Sequence, residues 1–467
     1  MRKADVKRLA LPLLALLCGC ALGPNYRRPQ VQPARWSGPE EAASLADQPW
    51  WEVFGDPALQ ALIGQALAGN YDVRAAAQRV AEYQARAGME GADYLPTFTP
   101  GAGWIHGRSS HFSSGGGGQG TLLNAQVAMA WELDLWGRLR RLNEAAQAQY
   151  LASEDARRGV LLATAAQVAQ TYFELRELDA RLAIARATTQ AFQETWNLFD
   201  QRFQGGAASR LETVRAEAAL AGAAAAIPDL ERQIQAKETL LCYLAGRNPG
   251  PIERGAELQA QPLPPRIPAG LPSALLERRP DLREAEQRLV AANAAVGVAQ
   301  AAYFPTLSLT GLVGGLAPRV GQLFGAGRQW NLGAGLGGPA LQGLRLRDQK
   351  AALVAQWEQA RTRYEGAVTY AFGEVATLLV ACEKLAEVET QRARAATALR
   401  EAVNLATLRY RAGLSSYVEV LDAQEQLFPA ENNLSQARLA RLTAMVQLYK
   451  ALGGGWNLRD PGAWSHS

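Results

Sequence analysis

The chain has 467 residues, a formal net charge of +4, 48% apolar residues and 20% charged ones. That balance excludes a disordered chain, and the length favours two units or one elongated fold over a single small domain. Most of the excess charge falls in the first eight residues, so the rest is close to neutral and offers no electrostatic footprint for nucleic acid.

The chain opens "MRKADVKRLALPLLALLCGC", a basic start followed by an apolar stretch from Leu9 to Leu17. That stretch is too short to span a bilayer and fits an export signal over residues 1–19. "LCGC" resembles a bacterial lipobox, in which Cys20 is lipidated and becomes the first mature residue. Ala21 and Leu22 follow it rather than Asp, which implies sorting to the outer membrane. Removing the signal takes Cys18 with it, and Cys242 and Cys382 then read as small core residues. Residues 20–56 form a lipid-anchored N-terminal segment on this reading.

Two repeats follow, 57–273 and 274–453, before a tail at 454–467. Residues 74–97 align with 283–306 at an offset of 209, and "RFQGGAASRLETVRAE" at 202–217 returns as "RYRAGLSSYVEVLDAQ" at 409–424 at an offset of 207. Each repeat begins with a helix. Four segments then show strand periodicity: 97–106 and 121–136 in the first repeat, 306–313 and 329–337 in the second. In 121–136 the odd positions Leu123, Val127, Met129, Trp131, Leu133 and Leu135 are apolar, whereas Asn124, Gln126, Glu132 and Asp134 are polar. Such segments have the length and alternation of tilted transmembrane strands, and they also fit half-buried strands of a soluble sheet. Glycine-rich stretches at 113–120 and 317–328 would join each pair.

The strands give way to very long helices. Leu161, Ala165, Val168, Tyr172, Leu175, Leu178 and Leu182 step by three and four, as a coiled-coil-like seam requires. Val368, Phe372, Val375, Leu379, Cys382 and Leu385 repeat the pattern. No proline lies between Gly137 and Phe203, so this helix should run on the order of 100 Å. The return helix at 210–246 contains Pro228, which is expected to kink it or split it in two.

If the strands are transmembrane, four cannot close a barrel, and open edges are not tolerated in lipid. Eight strands from two chains would be filled by their own side chains, whereas twelve from three leave a lumen. A conducting assembly would therefore be at least a trimer.

At this point the chain resembles the outer membrane factor, or TolC-like, family of tripartite efflux pump channels, in its lipoprotein branch. The likeness rests on "CALGPNYRRPQV" at 20–31, "WWEVFGDPALQALIGQAL" at 50–67, "WELDLWGRLRR" at 131–141, "RRPDLREAEQRLVAANAAVGVAQAAYFPTLSLTG" at 278–311 and the two repeated turns. The family's usual Phe-Asp-Gly-Gly type turn after the fourth strand is replaced here by "PALQGLRLR" at 339–347. The resemblance implies a mainly α fold with a transmembrane β-barrel: a homotrimer with a twelve-stranded barrel in the outer membrane and a long helical barrel in the periplasm. It implies a passive exit duct for drugs, dyes, detergents or metal ions, served by an inner-membrane transporter and a periplasmic adaptor. No cofactor beyond the covalent lipid on Cys20 is expected.

The repeated turn joins two antiparallel helices. Gly206 and Gly413 suit left-handed ends, and Arg202 and Arg409 meet the negative pole of the incoming helix. Ser209 with Glu212, and Ser416 with Glu419, read as capping boxes. Asp422 lies one turn beyond Glu419, where the first copy has Arg215. By resemblance, Glu419 and Asp422 line the periplasmic entrance, and Glu212, Tyr410, Glu419 and Asp422 form a gate. The hairpin tips carrying Arg202, Gly206, Ser209, Arg409, Gly413 and Ser416 would contact the adaptor.

Enzyme chemistry finds no support. His106, His111 and His466 are scattered, and no phosphate loop, nucleophile elbow or dinucleotide fingerprint is present. The competing expectation is a lipid-anchored periplasmic coiled-coil scaffold without a pore, which leaves the alternating segments unexplained.

Overall fold

The structure, a computed structural model, describes residues 21–31, 50–109, 118–263, 272–339 and 341–454. The export signal, Cys20, His111, His466 and the tail beyond Gly454 lie outside the described residues.

Asp56 starts the first helix. It caps α1 (Pro57–Gly69), accepting from the Ala58 and Leu59 amides, and proline occupies the first helical turn, where its missing N–H costs nothing. Then come α2 (Tyr71–Ala92), β1 (Thr97–Ser109), β2 (Gly118–Leu133), α3 (Arg138–Gln204) and α4 (Arg210–Leu244). The second repeat gives α5 (Pro272–Arg278), α6 (Pro280–Ala301), β3 (Thr306–Ala317), β4 (Arg328–Gly337), α7 (Gly343–Arg411) and α8 (Tyr417–Ala451). Pro228 neither breaks nor splits α4, which stays one 35-residue helix, and α8 likewise contains Pro429. Packing along the helix outweighs the one hydrogen bond each proline removes.

Contacts divide the chain into two units, to both of which α3 and α7 contribute. The first unit contains the sheet, ordered β1-β2-β3-β4, antiparallel throughout, with β1 and β4 as edges. Directly opposed residues share a face, so register defines the two surfaces. One face carries the row Pro100, Val127, Val313 and Trp330 and the row Phe98, Met129, Gly311 and Leu332. Trp104, Leu123, Trp131, Leu309 and Leu336 lie on the same face. Phe98, Trp104, Val313, Trp330, Leu332 and Leu336 are exposed, which marks a continuous uncovered apolar surface. The other face is mostly small or polar, with Thr99, Gln126, Asn124, Glu132, Ser308, Thr310, Asn331 and Gly335, and it also carries Ile105, Leu122, Leu312 and Leu316.

The two hairpins repeat each other in detail. Thr97 pairs with Ala130 and Thr306 with Gly337, the same register carried forward by the sequence offsets. Thr97 Oγ1 donates to the Ala130 carbonyl at 3.0 Å, and Thr306 Oγ1 donates to the Gly337 carbonyl at 3.2 Å.

Residues 22–28 are stitched onto this unit. Arg141 donates through Nε to the Leu22 carbonyl at 3.1 Å and through Nη2 to Asn25 Oδ1 at 2.8 Å. Glu286 takes Tyr26 and both ends of the Arg28 guanidinium at 3.0, 2.7 and 2.8 Å. The strap lies so close to α6 that a Cβ on Gly297 would sit 2.9 Å from the Leu22 carbonyl oxygen.

The second unit holds the aromatic core. Trp50 stacks on Tyr449 at 6.0 Å, and Phe54 meets Phe173 at 5.2 Å. Asp56 is buried beneath them and accepts from Tyr172 at 2.8 Å and Gln261 at 2.6 Å, so its charge is compensated by donors. The α3 seam is buried from Leu161 through Leu178. Its α7 twin is buried at Val368, Phe372 and Val375, but beyond that point Leu379, Cys382 and Leu385 are only half-buried, while Val380 and Val388 are exposed. Cys242 is buried and donates to the Gly250 carbonyl at 3.3 Å, and both cysteines are free thiols.

Candidate functional site

The sequence candidates fall at the two hairpin tips of the second unit, α3–α4 and α7–α8. Each tip is closed by a left-handed glycine, Gly206 at φ +74° and Gly413 at φ +72°. The Ala207 amide returns to the Arg202 carbonyl at 2.7 Å and the Leu414 amide to the Arg409 carbonyl at 2.9 Å. These pair otherwise orphaned carbonyls at the helix ends.

The capping box is real in only one copy. At the first tip the Ser209 amide donates to Glu212 Oε2 at 2.7 Å, and the Glu212 amide donates to Ser209 Oγ at 3.3 Å. The backbone N–H and hydroxyl of Ser209 hold the Glu212 carboxyl below the usual range. At the second tip Ser416 makes no side-chain cap bond, and Glu419 turns to Arg409 at 3.4 Å. The capping box expected at Ser416 and Glu419 is thus absent, because a flanking arginine competes for the carboxylate.

An unexpected contact couples the two tips. Arg202 Nη1 donates to the Tyr410 hydroxyl at 2.6 Å, and its guanidinium carbon lies 5.6 Å from the Tyr410 ring centre. Tyr410 meets Tyr417 edge-on at 4.9 Å, and Tyr417 meets Phe199 edge-on at 4.9 Å. The Tyr417 and Thr195 hydroxyls share a hydrogen bond. Burial pushes the Tyr417 hydroxyl up, and the Thr195 bond partly offsets this. Below them Phe192, Ala223 and Leu421 pack α3, α4 and α8 into one small core.

The geometry therefore joins Arg202 with Tyr410 and Arg409 with Glu419, and leaves Glu212 on its own cap. Glu419 and Asp422 both face solvent, opposite the buried Val420 and Leu421. Asp422 has no ion-pair partner among the described residues. Glu425, exposed one turn further on, extends the acidic stripe and was not singled out from sequence. Tyr417 and Thr195 were also missed, since their pairing spans 222 residues and leaves no local signal. Among the described residues, no cluster of three or more His, Cys, Asp or Glu gathers as metal ligands.

Comparison with known proteins supplies the context. A profile described as outer membrane efflux protein matches residues 62–247 and again 271–454. The chain is 36% identical over 454 residues to the probable efflux pump outer membrane protein TtgC of Pseudomonas putida, covering 94% of each. The solved structure of the outer-membrane channel OprN is 31% identical with a TM-score of 0.87, covering 94% of this chain and 100% of that one. The open state of the Neisseria gonorrhoeae MtrE outer membrane channel is 31% identical with a TM-score of 0.86, covering 94% of this chain and 99% of that one.

Proposed function

Because the chain belongs to the outer membrane efflux protein family, we propose that it works as the passive outer-membrane duct of an efflux pump, extending into the periplasm. The observation that carries the mechanism is the four-stranded sheet, which among the described residues has two free edges and one uncovered apolar face. Free edges cannot remain in hydrocarbon, where every backbone group needs a partner. Pairing β4 of one copy with β1 of the next satisfies both edges, and three copies close twelve strands around a lumen lined by the small and polar face. The described residues of its own chain leave half of the α7 seam uncovered, which supports the same assembly.

In this reading Cys20 carries the lipid, and the adjoining strap at 22–28 joins that anchor to α3 and α6. A periplasmic adaptor docks at the tips around Arg202, Gly206, Ser209, Arg409, Gly413 and Ser416, and an inner-membrane transporter supplies the energy. Glu212, Tyr410, Glu419 and Asp422 belong to the gate, with Arg202 as the group that holds Tyr410. Opening separates the two tips by a change between packings rather than by bending.

A spacer without a pore gives the apolar sheet face no role. Purified, acylated protein in planar bilayers tests the choice: discrete conductance from an oligomer is expected, and an electrically silent monomer would overturn the channel.

A further inference from the structure

The repeat is faithful enough to be read residue against residue, and one of its electrostatic breaks lies at the end of the strands. At the end of β2, Arg138 places its guanidinium on Glu132 through two bonds of 2.9 and 2.7 Å, and Arg140 pairs with Asp134 at 3.2 Å. Glu132 lies opposite Ser308, in the small and polar face of the sheet. Carried forward by 207 residues, Arg138 becomes Arg345 and Arg140 becomes Arg347, so both cations are kept. Their acids are not: Glu132 becomes Pro339 and Asp134 becomes Leu341. Among the described residues Arg347 has only its neighbour Asp348, at 3.0 Å with both side chains 69% exposed, a pair of little strength. Arg345 is exposed and has no hydrogen-bond or ion-pair partner among the described residues. The family's usual acidic turn is lost at this same corner, which reads "PALQGLRLR".

The repeat relation puts Arg345 where Arg138 stands, beside the small and polar face at the end of the strands. We propose that Arg345 of each copy presents an uncompensated cation to the lumen there, making a threefold site that attracts small anionic solutes such as carboxylates. This rests on the trimeric channel reading above. A guanidinium is permanently charged and grips carboxylates through paired donors, so the site keeps its sign across the physiological pH range. Its field acts over about a Debye length, roughly 8 Å at physiological salt.

The test uses full-length protein in planar bilayers under a potassium chloride gradient, then with benzoate replacing chloride. The parent carries Glu419→Gln and Asp422→Asn, so that the acidic tip does not dominate ion choice. Arg345→Gln is expected to shift the reversal potential toward the potassium equilibrium value, more strongly with benzoate. Pro339→Glu, which restores the repeat's missing acid, is expected to do the same, whereas Arg345→Lys keeps the parent value. A parent that conducts while Arg345→Gln and Pro339→Glu leave the reversal potential unmoved overturns the anion site alone. Protein with Glu419 and Asp422 intact that never conducts overturns the channel reading instead.

Discussion

Arg202 and Tyr410 are joined twice, by a 2.6 Å hydrogen bond and by a guanidinium held 5.6 Å from the ring centre. The two residues come from different repeats, so the contact ties the α3 tip to the α7 tip. An exposed contact of this kind contributes about 1 kcal/mol. Three copies acting together would bias a gate by about 3 kcal/mol, or about a hundredfold in an opening equilibrium. Arg202→Ala is therefore expected to raise open probability in single-channel records, and Tyr410→Phe to raise it less because the ring contact survives. Combining Arg202→Ala with Tyr410→Ala should add little to either alone. Records of Arg202→Ala that match the parent would remove this contact from gating.

The two serine caps should behave differently although each is followed three residues later by a glutamate. Ser209 bonds the Glu212 amide at 3.3 Å, whereas Ser416 makes no side-chain cap bond. Ser209→Ala should cost about 1 kcal/mol of local stability and Ser416→Ala only a few tenths. Amide hydrogen exchange at the two tips reads this directly, and equal effects would contradict the asymmetry.

The same cap sets a pH dependence. The folded-state value of Glu212 is lowered by its bonds from Ser209, so its contribution is fully present above the unfolded carboxylate value, near 4.3 or so. It is lost as pH falls through the folded value. Protection at the α3–α4 tip should thus fall in acid below about pH 4, and Ser209→Ala should flatten that dependence. A tip whose protection is unchanged by acid would contradict the cap's role.

The repeat also yields the register between copies. Within the chain Met129 of β2 faces Gly311 of β3. Applying the two offsets sets Leu336 of β4 opposite Ala102 of β1 in the next copy. Cysteines at 336 and 102 should form an intermolecular disulfide and give a covalent trimer on non-reducing gels, since opposed Cβ atoms lie about 5 Å apart. Cysteines at 335 and 102 should not, because a one-residue slip turns the side chain to the other face. The reverse pattern would refute this register.

Much of this was legible in the sequence, and the limits have physical causes. Alternation at 121–136 revealed the apolar face of β2, because a period of two survives wherever one face is solvated differently from the other. The buried step from Leu161 to Leu178 revealed the α3 seam for the analogous reason. The glycine-rich start of β2 at Gly118 carries no side-chain pattern, so its sequence alone reads as loop. Pro228 reads as a breaker because its local cost is visible in sequence while the packing that offsets it is not. Arg202 reads from sequence as a partner of the helix dipole, since nothing local says that Tyr410 lies 208 residues away and within reach. The difference between Ser209 and Ser416 depends on where Arg409 points, which spacing cannot decide.

Of the two acids at the second tip, Asp422 should matter more for ion choice than Glu419. Glu419 shares its charge with Arg409 at 3.4 Å, whereas Asp422 is exposed and has no ion-pair partner among the described residues. An unpaired carboxylate repeated three times around an entrance favours cations and repels anions, and pairing with a guanidinium cancels most of that field. Asp422→Asn should therefore lower the cation-to-anion permeability ratio in planar bilayers more than Glu419→Gln does. Arg409→Gln, which frees Glu419, should raise the ratio. All three shifts should shrink as salt rises toward about 1 M, where the screening length falls to about 3 Å. A larger effect from Glu419→Gln, or none from Arg409→Gln, would mean that the Arg409–Glu419 pair does not hold in the assembled channel.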